Sequence, residues 1–237
     1  MNTILTNQKW GGGKFLASFC AVACCGVLQL ANAQEVKTRQ YRSEQNQTVE
    51  AGETRVRQIK PLDPVPFVGE QPFAFSIMPP AQTPDRTWDS VFFRLNLFTG
   101  AHRSVYWFDI GILGNITDYE MSGLGIAGLF NNTGTAPAAF HIAGAVNYCQ
   151  WNFDGLQLAL GFNWTEGAFS GLQLSCVNSA GRLNGLQVGL FNAAEKGAGV
   201  QVGVINRSDR LEGLQIGLFN VNRDSSLPFS PIINFAF

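Results

Sequence analysis

The chain has 237 residues and a formal net charge of −1, with 16 basic side chains against 17 acidic ones. This balance argues against a surface that attracts nucleic acid or other polyanions as a whole. Hydrophobic residues make up 46% of the chain and charged residues 14%. Beyond the N-terminus, however, no apolar run is long enough for a helical membrane span. Composition alone identifies neither a reaction nor a ligand.

Residues 1–33 have the pattern of a secretory signal peptide. Lys9 and Lys14 supply the positive end, Phe15 to Leu30 the apolar stretch, and Ala31-Asn32-Ala33 a small-x-small cleavage site. An N-terminal membrane anchor is the alternative, but the apolar stretch is shorter than the roughly 20 residues that a span needs. The sequence therefore predicts export.

The cysteines divide between the signal and the exported chain. Cys20, Cys24 and Cys25 lie in the signal, so the exported chain keeps Cys149 and Cys176. The small residues before Cys24 loosely resemble a lipoprotein processing site, which leaves lipidation as an alternative fate. The two remaining thiols could form a disulfide in an oxidising compartment. We place the two cysteines on strands that are two apart in the predicted order, so a disulfide would require an unusually close approach. They are therefore interpreted as two separate small apolar side chains.

Three regions follow the signal. Residues 34–60 are almost entirely polar and cannot offset their ordering entropy by burial, so we predict a disordered polar tether. Residues 61–87 are rich in proline and predict an extended segment against the main body, with one short strand at most, over Phe73 to Met78. Residues 88–237 form the β-repeat domain.

A repeated motif dominates this domain. Its good copies start at steps of 16, 14, 14 and 14 residues: GLQLALGFN at Gly155, GLQLSCVN at Gly171, GLQVGLFN at Gly185, GVQVGVIN at Gly199 and GLQIGLFN at Gly213. Within a copy the branched aliphatics fall two apart, as in Leu186, Val188 and Leu190, which is the period of a β-strand. The polar stretches between copies supply turn residues.

Short connections between regular strands predict an all-β, antiparallel up-and-down meander. We count about ten short strands, and closure into a barrel would remove both exposed sheet edges. The alternative is a parallel β-solenoid, in which each unit makes one coil and the repeated asparagines stack. We expect the meander, because a coil would need apolar side chains from both of its walls and the second half of each unit is polar.

Three features favour an outer-membrane barrel: export, few charges in the repeats, and a chain end, Ile233 to Phe237, that resembles the last strand of such barrels. In that barrel Gln187 and Gln201 face the lumen, which motivates a pore-forming hypothesis. Aromatic side chains near strand ends then lie at the membrane interfaces, namely Phe130, Phe162, Trp164, Phe191 and Phe219. The short aliphatic band leaves open a soluble protein whose aliphatics face inward.

The repeats resemble a family of bacterial surface-repeat proteins. The resemblance is carried by the GLQ[VIL]GLFN copies, by FRLNLFTGAHRSVYWFDIG from Phe93 and by LPFSPIINFAF from Leu227, and it covers about Phe73 to Phe237. It implies an exported, surface-associated protein of uncharacterised function and supplies no catalytic residue. Trp107 stands where the family pattern has a small residue.

Formal matches to chemical motifs lack their structural context. The Gly123-x-Gly125-x-x-Gly128 pattern lies inside a repeat strand with no helix after it. His102 and His141 have no Cys, Asp or Glu at ligand spacing, so we predict no metal site and no cofactor. The charged residues early in the domain are interpreted as loop ion pairs rather than acid–base groups: Asp85, Arg86, Asp89, Arg103 and Asp109.

The sequence therefore predicts a non-enzymatic, exported envelope or surface β-repeat protein. An outer-membrane barrel with a membrane as its partner is the preferred form, and no nucleic acid is expected. No catalytic, cofactor-binding or metal-binding residue is assigned. The alternative is a soluble periplasmic or secreted β-repeat module that binds an unknown small molecule or surface ligand.

Overall fold

The structure, a computed structural model, describes residues 67–236, with only the backbone of Val91. The predicted signal, residues 1–33, and the predicted tether, residues 34–60, lie outside the described residues. Within the described range there is no helix with the length and hydropathy of a membrane span.

The described chain consists of eleven strands: β1 (Gly69–Met78), β2 (Ala81–Thr83), β3 (Trp88–Asn96), β4 (Thr99–Gly111), β5 (Gly114–Ala127), β6 (Phe130–Ala143), β7 (Val146–Cys149), β8 (Phe153–Ala159), β9 (Phe162–Leu174), β10 (Val177–Asn222) and β11 (Phe229–Ala236). The 46 residues of β10 continue without interruption through the successive copies that begin at Gly185, Gly199 and Gly213.

Consecutive copies run in the same direction. Gly155 pairs with Gly171, and Gly171 pairs with Gly185, so equivalent residues of successive copies stack in register. The pairs from β3 to β10 are all parallel, and antiparallel pairing occurs only at the two ends, where β2 pairs with β1 and β11 with β10. The prediction of an antiparallel barrel is therefore wrong. The chain is a parallel β-solenoid of about seven turns, the alternative we had set aside.

The physical reason for the error is the polarity of the interior. Each coil must return above its own start, so its two halves form opposite walls whose inward side chains meet. In the motif, Gln187 is fully buried, whereas Leu190 is exposed. The aliphatic side chains thus face outward and the amides face inward. A polar second half is no obstacle to a coil whose interior is itself filled with hydrogen-bonded amides.

One of two interior amide ladders is made of asparagine. In each step the side-chain Nδ2 donates to Oδ1 of the asparagine in the next coil, as from Asn178 to Asn192 at 2.9 Å and from Asn192 to Asn206 at 2.9 Å. From Asn115 onward each Nδ2 also donates to a backbone carbonyl, for example from Asn192 to Val202 O at 2.9 Å, whereas Asn96 Nδ2 donates to Asp109 Oδ1. The ladder runs through Asn96, Asn115, Asn131, Asn147, Asn163, Asn178, Asn192, Asn206 and Asn220.

The second ladder is made of glutamine, and its side chains donate in the opposite direction along the solenoid. Gln187 Nε2 donates to Gln173 Oε1 in the preceding coil at 2.7 Å, and Gln201 Nε2 donates to Gln187 Oε1 at 2.8 Å. The series runs from Gln157 to Gln215, and all of its side chains are buried. Because buried amides are costly unless paired, the recurrence of Gln and Asn at fixed positions is explained by these contacts.

Glycine recurs where the amides need space. A Cβ on Gly203 would lie 2.3 Å from Gly189 O and 2.6 Å from Asn192 Nδ2. The motif glycine after Gln therefore makes room for the asparagine of the coil below. A different glycine position takes a positive φ, 129° at Gly171, and in an early coil Trp107 occupies that position with φ of 83°.

Apolar side chains fill the rest of the interior. The rings of Phe153 and Phe169 stack at 5.8 Å between centroids. They belong to a buried cluster completed by Ala136, Ala139, Cys149, Ala180, Leu183, Ala194 and Leu211. This cluster lies beside the glutamine ladder, so the core is part apolar and part amide.

Candidate functional site: the aliphatic wall

One outer wall of the solenoid is covered with apolar side chains. We call it the aliphatic wall and define it by four rows, each stacked in register through the coils. The rows are Phe108, Leu124, Phe140, Leu156, Leu172, Leu186, Val200 and Leu214; Ile110, Ile126, Ile142, Leu158, Leu174, Val188, Val202 and Ile216; Ile112, Leu160, Cys176, Leu190, Val204 and Leu218, with Gly128 and Gly144; and Phe130, Val146, Phe162, Val177, Phe191, Ile205 and Phe219.

Several of these side chains are largely exposed. Leu160 is 77% exposed, Leu190 61% and Leu218 62%, all in the third row. No side chain of the four rows is charged. A leucine left in water forgoes about 1.5–3 kcal/mol of burial free energy. The wall therefore holds a large unused driving force for association.

The aliphatic wall is one contiguous apolar patch rather than a set of isolated surface leucines. Stacked coils are about 4.8 Å apart and residues along a strand about 3.3 Å apart, so the seven steps between eight stacked residues and five steps along the strand span roughly 34 Å by 17 Å. Soluble monomers rarely expose contiguous apolar patches larger than a few hundred Å². Patches of this extent are typical of surfaces that contact a protein or a membrane.

Aromatic side chains border the wall. Phe162 and Phe219 lie in the outermost row and are both exposed, and Trp164 lies in the next outward row, where the polar half of the coil begins. These residues were predicted to lie near membrane interfaces of a barrel. In the solenoid they line one margin of the aliphatic wall instead.

The residues predicted to face a lumen do not face one. Gln187 and Gln201 are fully buried and bond each other and Gln173. The two walls of a coil meet directly, as shown by Gln215 Nε2 donating to Ser208 Oγ of the opposite half at 3.1 Å. The pore hypothesis depended on glutamine side chains that line an open barrel. In the structure these side chains fill the interior of the coils.

A buried ion pair occupies the interior near the N-terminal end of the solenoid. Arg94 and Asp109 stack in adjacent coils at the position that glutamine takes later, and both are almost completely buried. Arg94 Nε donates to Asp109 Oδ1 at 2.7 Å, and its Nη1 donates to Ile116 O at 2.8 Å. Asp109 was predicted to be a loop charge but lies in β4, and Arg94 was not among the predicted charge pairs. The recurrence of opposite charges at the ladder position would have identified the pair.

His102 completes this ionic cluster. Its Nδ1 lies 3.3 Å from Arg94 Nη1 and its Nε2 lies 3.1 Å from Pro84 O. Nε2 therefore carries the proton and Nδ1 accepts from the guanidinium. Burial, aided by the nearby Arg94 charge, lowers the pKa of His102 to about 3. The cluster is neutral overall and closed to solvent, which makes it a structural element of the core.

Two further ion pairs, less deeply buried than Arg94 and Asp109, involve Arg103 and Arg86, which were both singled out in the sequence. Arg103 bonds Asp89 at 2.7 Å, and Arg86 bonds Asp118 at 2.5 Å. Arg86 is half exposed, and its bond to Asp118 raises the pKa of the guanidinium. Among residues 67–236, no three His, Cys, Asp or Glu side chains come together in a way that could hold a metal ion.

The histidine and glycine motifs have structural positions. His141 stacks between Gly125 and Gln157 inside the solenoid, and burial lowers its pKa to about 3. A Cβ on Gly125 would lie 3.0 Å from the His141 ring. The pattern from Gly123 to Gly128 therefore serves coil packing, within and just after β5.

The two cysteines of the repeat domain are both free. Cys149 is buried, and desolvation raises the pKa of its thiol to about 12. Cys176 is exposed in the third row of the aliphatic wall. The two thiols lie on opposite sides of the coil, one facing in and one facing out.

Comparison of the chain with protein-family models, with curated proteins and with solved structures found no match.

Proposed function

We propose that the protein is a non-enzymatic, exported envelope protein that lies on a lipid surface through its aliphatic wall. The observation that carries the proposal is the outward orientation of four apolar rows without a charged side chain. The predicted signal peptide supports export. The burial of Arg94, Asp109, His102 and His141 inside the coils supports a role without acid–base chemistry.

Backbone chemistry favours lipid as the occupant of the wall. Polar backbone groups can enter hydrocarbon only when they are bonded within the protein. In the aliphatic wall the N–H and C=O groups of each coil pair with the coils above and below, so the central strands present no unpaired backbone to an acyl layer.

The aromatic margin supports the same occupant. Phenylalanine and tryptophan side chains are favoured at the boundary between hydrocarbon and water. Phe162, Phe219 and Trp164 stand at the line where the aliphatic wall gives way to polar side chains. Such an arrangement suits a protein that lies in the plane of the interface, with apolar side chains entering the acyl boundary.

Vesicle flotation tests the proposal. The exported protein is expected to float with neutral phosphatidylcholine vesicles at low and at high salt alike, because apolar burial is not screened. The double variant Leu190→Asp with Leu218→Asp should remain unbound. Asn184→Asp, an exposed change on the other half of the coil, is the matched control and should float.

Two results would contradict lipid binding. One is flotation of the Leu190→Asp, Leu218→Asp variant to the same extent as the unchanged protein. The other is an unchanged protein that does not float but forms a dimer by light scattering, with the double variant monomeric. The latter result would assign the wall to a second copy of the chain.

A further inference from the structure

A groove of about 550 Å³ opens on the outer face of the polar half of the coils. We call it the polar groove. It is lined by Trp164, Glu166, Ser179, Gly181, Phe191, Ala193, Glu195, Arg207 and Asp209, with Thr165, Ala180 and Ala194 behind them. Phe191 also belongs to the aromatic margin of the aliphatic wall, so the groove adjoins that wall.

Trp164 forms an open aromatic platform at one end of the groove. Its side chain is 49% exposed, and the edge of the Tyr148 ring meets it at 6.5 Å between centroids with an angle of 71°. Tyr148 is itself fixed, because its hydroxyl donates to Glu166 Oε1 at 2.6 Å. The platform is therefore held in place before any ligand arrives, which lowers the entropy cost of binding.

The floor beside the platform is open because the next coils carry small side chains. Ser179 stacks on Trp164, and Gly181 and Ala193 line the groove further along. From Trp164 to Arg207 is three coil steps, or about 14 Å at the usual strand spacing. That length suits a short chain of ring-sized units.

Hydrogen-bonding groups surround this floor. The side chains of Glu195 and Arg207 line the groove, and within the described part of the chain neither makes a hydrogen bond or an ion pair. Asp209 pairs with Arg223 at 3.2 Å across an exposed gap. Free carboxylate and guanidinium groups beside an aromatic face form a combined apolar and polar site.

We propose that the polar groove binds a neutral saccharide. The C–H face of a pyranose ring is apolar and packs on Trp164, while its hydroxyl groups donate to Glu195 and accept from Arg207. A ligand with a net charge fits less well, because the two unpaired charged side chains in the groove, Glu195 and Arg207, have opposite charges. The saccharide can be free or the headgroup of a glycolipid on which the neighbouring wall rests.

Titration calorimetry with maltotetraose, cellotetraose and chitotetraose tests the proposal on the exported protein. At least one of these is expected to bind, and Trp164→Ala should weaken that affinity about tenfold or more, as expected for a tryptophan at the centre of a site. Trp107→Ala is the matched control, an exposed tryptophan outside the groove, and should bind as the unchanged protein does.

Ala193→Arg keeps the test independent of any folding defect in Trp164→Ala. This outward substitution fills the groove without removing a contact and should also abolish binding. Failure of all three oligosaccharides to bind the unchanged protein would overturn the proposal. Equal affinity of the unchanged protein and Trp164→Ala would overturn it too, as would binding of tetralysine alone, which would indicate a cationic peptide site.

The source of the saccharide is distinguished with vesicles that carry a neutral glycolipid. A headgroup ligand predicts tighter flotation with these vesicles than with phosphatidylcholine alone, lost in Ala193→Arg. A free ligand predicts equal flotation with both vesicles, together with binding of a soluble oligosaccharide. Ala193→Arg lies outside the aliphatic wall and should leave flotation on phosphatidylcholine unchanged, so failure of this proposal is distinguishable from failure of lipid binding.

Discussion

His141 lies directly beneath Gln157 in the interior of the solenoid, and each side chain has one buried nitrogen without a hydrogen-bond partner. His141 Nδ1 and Gln157 Nε2 both lack a hydrogen-bond partner. Above them the glutamine ladder is continuous, since Gln173 Nε2 donates to Gln157 Oε1 at 2.7 Å. The histidine therefore interrupts the ladder at its lower end.

Replacing His141 with glutamine should extend the ladder. The new Oε1 would accept from Gln157 Nε2, and pairing this buried amide should raise the free energy of unfolding by about 1–2 kcal/mol. His141→Leu, which leaves Gln157 Nε2 unpaired, should gain less. Urea unfolding at neutral pH measures both, and a His141→Gln protein no more stable than the unchanged one would disprove the explanation.

The two buried histidines predict acid sensitivity. Their pKa values are lowered to about 3 in the folded state, whereas an unfolded histidine titrates near 6.5. Between these values the unfolded state binds more protons, so stability is full above pH 6.5 and falls as the pH drops. From pH 7 to pH 5 each histidine should cost about 2 kcal/mol. His141→Gln should remove one of these two contributions, and an unchanged pH dependence in that variant would contradict the assignment.

The asparagine ladder predicts a position-specific loss of stability. Asn192→Ala removes the partner of Asn178 Nδ2 and leaves Asn206 Oδ1 without its donor. The expected loss in unfolding free energy is about 3 kcal/mol, since buried groups are left unpaired. Asn184→Ala, the same substitution at an exposed position, should change stability by no more than about 0.5 kcal/mol. Equal losses in the two variants would show that a ladder asparagine contributes no more to the unfolding free energy than an exposed one.

The buried ion pair predicts strong coupling between its members. Arg94→Met leaves Asp109 as an unpaired buried charge and should cost about 3–5 kcal/mol. Adding Asp109→Leu should recover much of that loss, because no charge then remains in the core. A double-mutant cycle from denaturant unfolding measures the coupling, and additive losses would contradict a direct interaction.

The sequence predicts the strands and their period of two residues, but it does not show which face of each strand is buried. Leu186, Val188 and Leu190 alternate with Gln187 and Gly189, and this alternation is the same for an inward and an outward aliphatic face. We assumed that the interior of a coil is apolar. That assumption excluded the solenoid, since the polar half of each coil then had nothing to pack against.

A second signal in the sequence identifies the interior. The aliphatic positions vary among Leu, Val and Ile from copy to copy, whereas Gln recurs in all five good copies and an asparagine ends each of them. Side chains that bond their own equivalent in the next coil must keep their identity, and outward apolar positions need not. The aliphatic wall follows once Gln187 and Asn192 are placed inside. The polar groove could not be foreseen, because it depends on which side chains stack across three coils.

Depth-dependent quenching at Cys176 tests the central claim most directly. With Cys20, Cys24 and Cys25 changed to serine, a fluorophore should label Cys176 and spare Cys149, whose thiol is buried with a pKa of about 12. On vesicles with brominated acyl chains, the label at Cys176 should be quenched strongly. A label at Asn184→Cys, in a chain that also carries Cys176→Ser, should not be. Equal quenching at both positions, or none at Cys176, would contradict a wall that faces lipid.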